Sequence, residues 1–294
     1  MKPNAMIKSL KPSAAALLAA CTLAAGCAVE QLQESQQQLT FRASYLTTKT
    51  SLSGFDVYFE SSDQISLFSA SDNTNSPLST SISDRSKSAD FTGGNDGEDT
   101  EYFLMYPYTA GASMAGSVIS GLSIPSEQTG TAGTFSPGAA LSYGYSRKND
   151  GTLTKVSMTN LCSVLKFGAG ELSDAAIASV RLTVPEDSHL TGASSVSVDT
   201  EDSSKAALSC SGGNTVTMTV SETGTYYICV APGTYQSLQF VYMDANGDPL
   251  KTRTLSSAIT FAPGKIYSLG NYGDMSRVVE IMSETSVNVD DSRM

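Results

Sequence analysis

The sequence predicts an all-β chain: two tandem β-sandwich domains behind an N-terminal export leader. Three observations carry this. From Leu39 onward, apolar residues recur at every second position, the period that buries one face of a strand and wets the other. About fifteen such short runs follow one another, separated by clusters of Gly, Pro, Asn, Asp and Ser, with almost no helical periodicity. Charged residues make up only 16% of the 294 residues and there is no Trp, the profile of an extracellular β protein rich in turns.

The leader is residues 14–27, AAALLAACTLAAGC, preceded by Lys2, Lys8 and Lys11. A basic start, an apolar middle and a small-residue end make a secretory signal. About 12 apolar residues are too few to cross a bilayer as a helix, which takes about 20. Leu23-Ala24-Ala25-Gly26-Cys27 resembles a bacterial lipobox, whose cysteine is lipidated and becomes the new N-terminus. Leu18-Ala19-Ala20-Cys21 fits the same pattern, so Cys21 is the alternative to Cys27. Cleavage before Cys27 is preferred, because cutting at Cys21 leaves the apolar 22–26 on the mature chain, whereas Ala28-Val29-Glu30-Gln31 turns polar quickly. An ordinary cleaved signal with two incidental cysteines is the plainer reading. Residues 1–26 are thus assigned to the signal and 27–38, Gln-rich, to a solvated tether.

The body is divided at 155/156 into domains 39–155 and 156–271. In LTFRASY, Leu39, Phe41, Ala43 and Tyr45 alternate with Thr40, Arg42 and Ser44. Phe55, Val57 and Phe59, then Ile65 and Leu67, continue the pattern. Residues 69–100 read as one long loop or a pair of loops. Residues 102–108, YFLMYPY, read as a buried strand that Pro107 ends at a sheet edge. Strands are expected at 117–124 and 139–145, with a turn-rich stretch at 130–138. After the turn signal Asn149-Asp150-Gly151, residues 160–168 read as a central strand and 171–179 as a short helix. Strands follow around Val180–Val184, Val216–Val220, 226–230, Leu238–Tyr242, 253–261 and 266–269, with a turn at 244–249.

Charge and chemistry narrow the function classes. The formal charge is −11, and loss of the three leader lysines takes it to −14. An acidic exported chain is a poor fit to nucleic acid. The single His189 lies in the loop PEDSHLTG, so Ser–His–Asp and Cys–His catalysis have no second candidate histidine. No phosphate-cradling, zinc-protease or dinucleotide motif occurs. Carboxylates Glu186/Asp187 and Glu201/Asp202 are adjacent in sequence and point apart. Asp244, Asn246 and Asp248 open like a Ca²⁺ loop, but Pro249 follows and no Glu closes it, so a hairpin turn is the reading. No enzyme activity, metal or cofactor is expected. Cys162, Cys210 and Cys229 are an odd number: buried free thiols are the first reading, one disulfide of unassigned pairing the second.

Several motifs then occur together in one order. After the lipobox come LTFRAS and Phe59-Glu60-Ser61-Ser62-Asp63-Gln64-Ile65, which resembles a Trp-x-x-Gly-Asp-x-Ile element. Tyr106-Pro107, 161–167 (LCSVLKF), Leu190-Thr191-Gly192, 226–232 (YYICVAP) and 263–267 (PGKIY) follow. Over most of 39–271 the chain resembles the fimbrillins of Bacteroidales, departing at Phe59 for Trp and Ser62 for Gly. The resemblance implies transthyretin-like sandwiches, a lipoprotein precursor carried to the outer membrane, removal of the N-terminal segment by an arginine-specific protease, and assembly with other fimbrial subunits by donor-strand exchange.

The residues themselves supply candidates for these steps. Arg42, after the tether and in the first strand, is the candidate processing site, with loop Arg85 as a second; an outward-facing strand arginine is the plain reading. In RVVEIMSETSVNV (277–289), Val279, Ile281, Val287 and Val289 share one face of a strand and form the candidate donor. A last strand paired within its own domain, or a frayed tail, are the alternatives for 272–294. A fimbrial subunit supporting adhesion is therefore the first functional expectation. A monomeric outer-membrane lipoprotein that binds glycan or a host protein through aromatics of YFLMYPY or through Tyr143 and Tyr145 is the second.

Overall fold

The structure is a computed structural model and describes residues 39–45, 51–53, 56–70, 74–94, 99–147, 154–169, 176–271 and 279–282. Residues 38–294 form one compact unit. Among the described residues the chain is all-β, with a single 3-10 turn at Ser203–Lys205 and no α-helix.

Seven strands close into a ring: β1 (Leu39–Tyr45), β12 (Thr154–Asn160), β11 (Ser142–Arg147), β7 (Glu101–Tyr106), β4 (Gln64–Ser69), β5 (Ser76–Thr80) and β6 (Ser88–Gly93), which pairs back onto β1. β1 runs parallel to β12 and antiparallel to β6. Its alternation works as read: Phe41, Ala43 and Tyr45 are buried and Arg42 is exposed. Inside, Phe41 meets Tyr102 edge-on with centroids 5.3 Å apart, and Phe59 packs on Tyr45 at 4.5 Å and on Phe91 at 5.0 Å. Edge-to-face rings are preferred because the ring faces are negative and the edges positive.

Two expectations for this region are corrected. Residues 69–100 are not all loop: β5 and β6 lie within them, and Leu78, Ala89 and Phe91 point inward. Serine at the outward positions hides these strands from a propensity reading, while pairing on both sides stabilises them. Pro107 does not mark a sheet edge either. β7 ends at Tyr106 and lies between β11 and β4, so the missing N–H of Pro107 falls beyond the ladder.

Two further sheets face each other over a second core. One is β10 (Glu127–Thr129), β17 (Thr215–Thr219), β14 (Ser179–Thr183), β20 (Leu238–Met243) and β21 (Pro249–Leu255); the other is β18 (Gly224–Val230), β13 (Ser163–Ala169), β23 (Ile266–Asn271) and β24 (Val279–Met282). Phe167, Val180, Leu182, Val216, Ile228 and Phe240 meet between them. Asp244 turns the β20–β21 hairpin, its carboxylate accepting the N–H groups of Asn246 at 2.8 Å and Asp248 at 2.9 Å. Of the helix expected at 171–179, residues 176–178 are irregular and Ser179 already begins β14, while 171–175 lie outside the described residues.

A third sheet is β16 (Ala207–Gly213), β15 (Thr191–Ser197), β9 (Val118–Ile124) and β8 (Ser113–Ala115). Three-residue pairs complete the fold: β2 (Ser51–Ser53) with β3 (Asp56–Tyr58), and β19 (Gly233–Tyr235) with β22 (Ile259–Phe261). The β9–β15 register shifts between Ser194 and Val196, close to Gly121. Gly121 has φ +77°, and a Cβ there would strike the Gly111 carbonyl oxygen, so only glycine fits. Strands β9 and β10 precede residue 155 yet pair with β15 and β17, and β12, which straddles 155/156, lies in the ring.

Candidate functional site

Of the sequence-derived site residues, Arg42 lies on the first described strand and Val279 and Ile281 on the last. On β1, Arg42 stands opposite Asp90 of β6. Its Nε donates to Asp90 Oδ1 at 2.7 Å and its Nη2 to Oδ2 at 2.8 Å, a fork matched to a carboxylate. Both side chains are about half exposed. The Arg42 hydrogen bonds hold the Asp90 carboxyl below the usual carboxylate range. The Arg42 side chain is therefore reachable from solvent, while its backbone sits in a strand paired on both sides, to Lys155 and to Asp90. Arg85 is exposed in the loop before β6, its guanidinium 5.0 Å from the centroid of the Tyr58 ring.

At the other end, β24 is the outermost strand of its sheet. Ile266 pairs with Met282, Tyr267 with Glu280 and Ser268 with Val279, so the ladder is three pairs long and irregular between Ile266 and Tyr267. Val279 and Ile281 of the candidate donor lie in β24, Val279 opposite Ser268 and Ile281 at the irregularity of the ladder. Val287 and Val289 lie outside the described residues, as do Cys21 and Cys27.

A residue passed over in the sequence links the two facing sheets. Gln128 of β10 is fully buried. Its backbone pairs with Met218 of β17, in the five-stranded sheet. Its side chain takes the place of a strand beside β18: Nε2 donates to Cys229 O at 2.6 Å and Oε1 accepts from Cys229 N at 3.0 Å. Phe135 bridges Tyr227, and Gly133 N donates to Thr225 O at 2.7 Å, so residues 128–135 cover the outer edge of β18. The one signal in the sequence was an amide between two strand-like runs.

The remaining candidates have ordinary places. His189 Nδ1 lies 3.0 Å from Gly212 O. Tyr143 is fully buried, with its hydroxyl donating to Asp199 O at 3.2 Å, and Tyr102 to Tyr106 are core, whereas Tyr108 is half-buried. Tyr145 is half-buried and donates to Glu101 Oε1 at 2.6 Å, with Arg147 Nε donating to its hydroxyl at 2.8 Å. Cys162, Cys210 and Cys229 are free thiols. Burial pushes the Cys162 thiol up to about 12. Among the described residues, no three His, Cys, Asp or Glu side chains converge as metal ligands, and no helix is long and apolar enough to cross a membrane.

No family model matches the chain, and no curated protein matches it. Solved structures that it resembles include Bacteroidales proteins named for fimbriae or cell adhesion. One, a protein of Bacteroides ovatus named for cell adhesion, is 11% identical, with 85% of this chain and 97% of that one covered at a TM-score of 0.49. A fimbrial protein of the same organism is 13% identical over 81% of this chain and 49% of that one, TM-score 0.43. A fimbrial assembly protein of Parabacteroides distasonis is 10% identical over 82% and 93%, TM-score 0.36.

Proposed function

We propose that this chain is a structural subunit of cell-surface fimbriae, built of two tandem transthyretin-like β-sandwich domains and supporting adhesion. It travels to the outer membrane as a lipoprotein through Cys27, is processed at Arg42, and joins other fimbrial subunits by donor-strand exchange. The observation that carries this reading is the position of β1. The first described strand is the piece that closes the ring, with β12 on one side and β6 on the other.

Cleavage after Arg42 removes the first half of β1 from between those neighbours. It vacates the buried site of Phe41, 1% exposed, and frees backbone groups on both flanking strands. Unpaired N–H and C=O groups beside an apolar slot are a template for an incoming strand. The 277–289 segment has the period-2 apolar pattern to fill it. In its own chain the described part of that segment, Val279–Met282, pairs on one side with β23, through three pairs. In the slot it gains a neighbour on each side.

The test is the N-terminus and assembly state of protein recovered from outer membranes, by intact mass and unheated gel. A start at Ala43 with a ladder of oligomers supports the proposal. A lipidated Cys27 with a single monomer band overturns strand-exchange polymerisation and leaves a monomeric surface lipoprotein.

A further inference from the structure

The edges of the sheets are not treated alike. The ring has none. The β18 edge is covered by residues 128–135. The β21 edge carries Pro249 and sets Lys251 and Arg253 opposite the core residues Tyr242 and Phe240, an arrangement that discourages strand addition. β8 and β10 are three residues long and β24 is four. β16 is the exception among the described residues: seven residues, ALSCSGG, at the end of its sheet, with no charge and no proline. Ala207, Ser209, Ser211 and Gly212 along it are exposed.

We propose that β16 is a self-association edge, at which a second copy of this chain adds antiparallel about a two-fold axis through Cys210. Two features of the strand select a second copy as the occupant. The first is charge. The chain carries a net charge of −11, so copies repel each other in general and approach best where each is neutral, as along β16. The second is self-complementarity. An isologous antiparallel pairing centred on Cys210 sets Ser209 opposite Ser211, Leu208 opposite Gly212 and Ala207 opposite Gly213, in both directions. Each half-buried Leu208 then meets a residue with no side chain, its N–H taking the place that His189 Nδ1 holds at Gly212 O, and no position meets a charge. The pairing joins two four-stranded sheets side by side and does not involve the 277–289 segment.

The experiment uses the full chain in sedimentation velocity, with cross-linking as a second readout. The antiparallel register brings the two Cys210 Cα atoms to about 4.5–5.5 Å, within the range of about 4.4–6.8 Å that a disulfide spans. Copper(II)–phenanthroline, taking two electrons and two protons from the two thiols, is expected to give a covalent dimer that Cys210→Ser abolishes. Ser209 and Ser211 are exposed, so the double variant Ser209→Lys/Ser211→Lys keeps the fold while placing like charges opposite each other. It is expected to weaken the dimer about tenfold or more, and mixing it with Ser209→Glu/Ser211→Glu is expected to restore a dimer. Deleting residues 277–294 is expected to leave this dimer intact, which separates it from tail-dependent assembly. A chain that stays monomeric at high micromolar concentration, or a dimer unmoved by the charge variants, overturns the proposal.

Discussion

Gln128 shows how one side chain can substitute for a strand. A buried amide offers a donor and an acceptor on one plane, the same pair that a neighbouring strand presents to Cys229. Gln128→Leu keeps similar bulk and removes both bonds to Cys229, together with the one that Nε2 donates to Pro125 O at 3.1 Å. It is expected to cost about 2–4 kcal/mol in urea unfolding, because each buried polar group left unmatched costs about 1–3. Gln128→Glu adds a pH dependence. Burial beside the Cys229 carbonyl favours the protonated acid and raises its folded pKa above the unfolded value of about 4.3. That variant is expected to approach wild-type stability at acid pH and lose it as pH rises above that value, read from melting temperature against pH. The thiols give a second check at this scale. Burial raises both the Cys162 and Cys210 thiols, but Cys162 is sealed and is expected to react with a thiol reagent only on unfolding, whereas half-buried Cys210 is expected to react in the native monomer.

At the scale of elements, β1 is the strand on which closure depends. Phe41→Ala empties a fully packed site at the ring's seam and is expected to cost about 3–5 kcal/mol in denaturant unfolding. This strand was legible in advance, because LTFRASY alternates cleanly and its buried and exposed positions follow the alternation. So was the β20–β21 turn, whose Asp-Ala-Asn-Gly-Asp composition is local turn chemistry. What escaped the sequence was of two kinds. Strands β5, β6, β15 and β16 are rich in Ser and Gly, residues of weak β preference, and are fixed by long-range pairing instead. The β12 partner of β1 and the Cys229 partner of Gln128 lie over a hundred residues away, beyond anything a local pattern can encode. For the candidate site, the position of Arg42 on an exposed strand face could be read, but not the two-sided pairing that surrounds it.

At the scale of the whole molecule, strands from either side of residue 155 share two of the sheets, and one core draws Phe103, Tyr143, Val164 and Cys229 together. Unfolding is therefore expected as one transition across residues 39–271, with near-UV circular dichroism and tyrosine fluorescence melting together. The fimbrial proposal makes its own demand at this scale. Chain lacking residues 1–42 is expected to bind a synthetic 277–289 peptide and gain several degrees in melting temperature, while the chain with β1 intact gains none. The same parallel arrangement of β1 and β12 governs how the protein responds to mechanical load. Before any cleavage at Arg42, tension that enters at the start of β1 and leaves through the chain beyond β12 pulls the two strands past each other along their length. The rungs between Phe41/Thr154 and Tyr45/Met158 are then strained together instead of peeling one by one, so the seam that holds the ring closed also acts as a clamp against a pull along the chain.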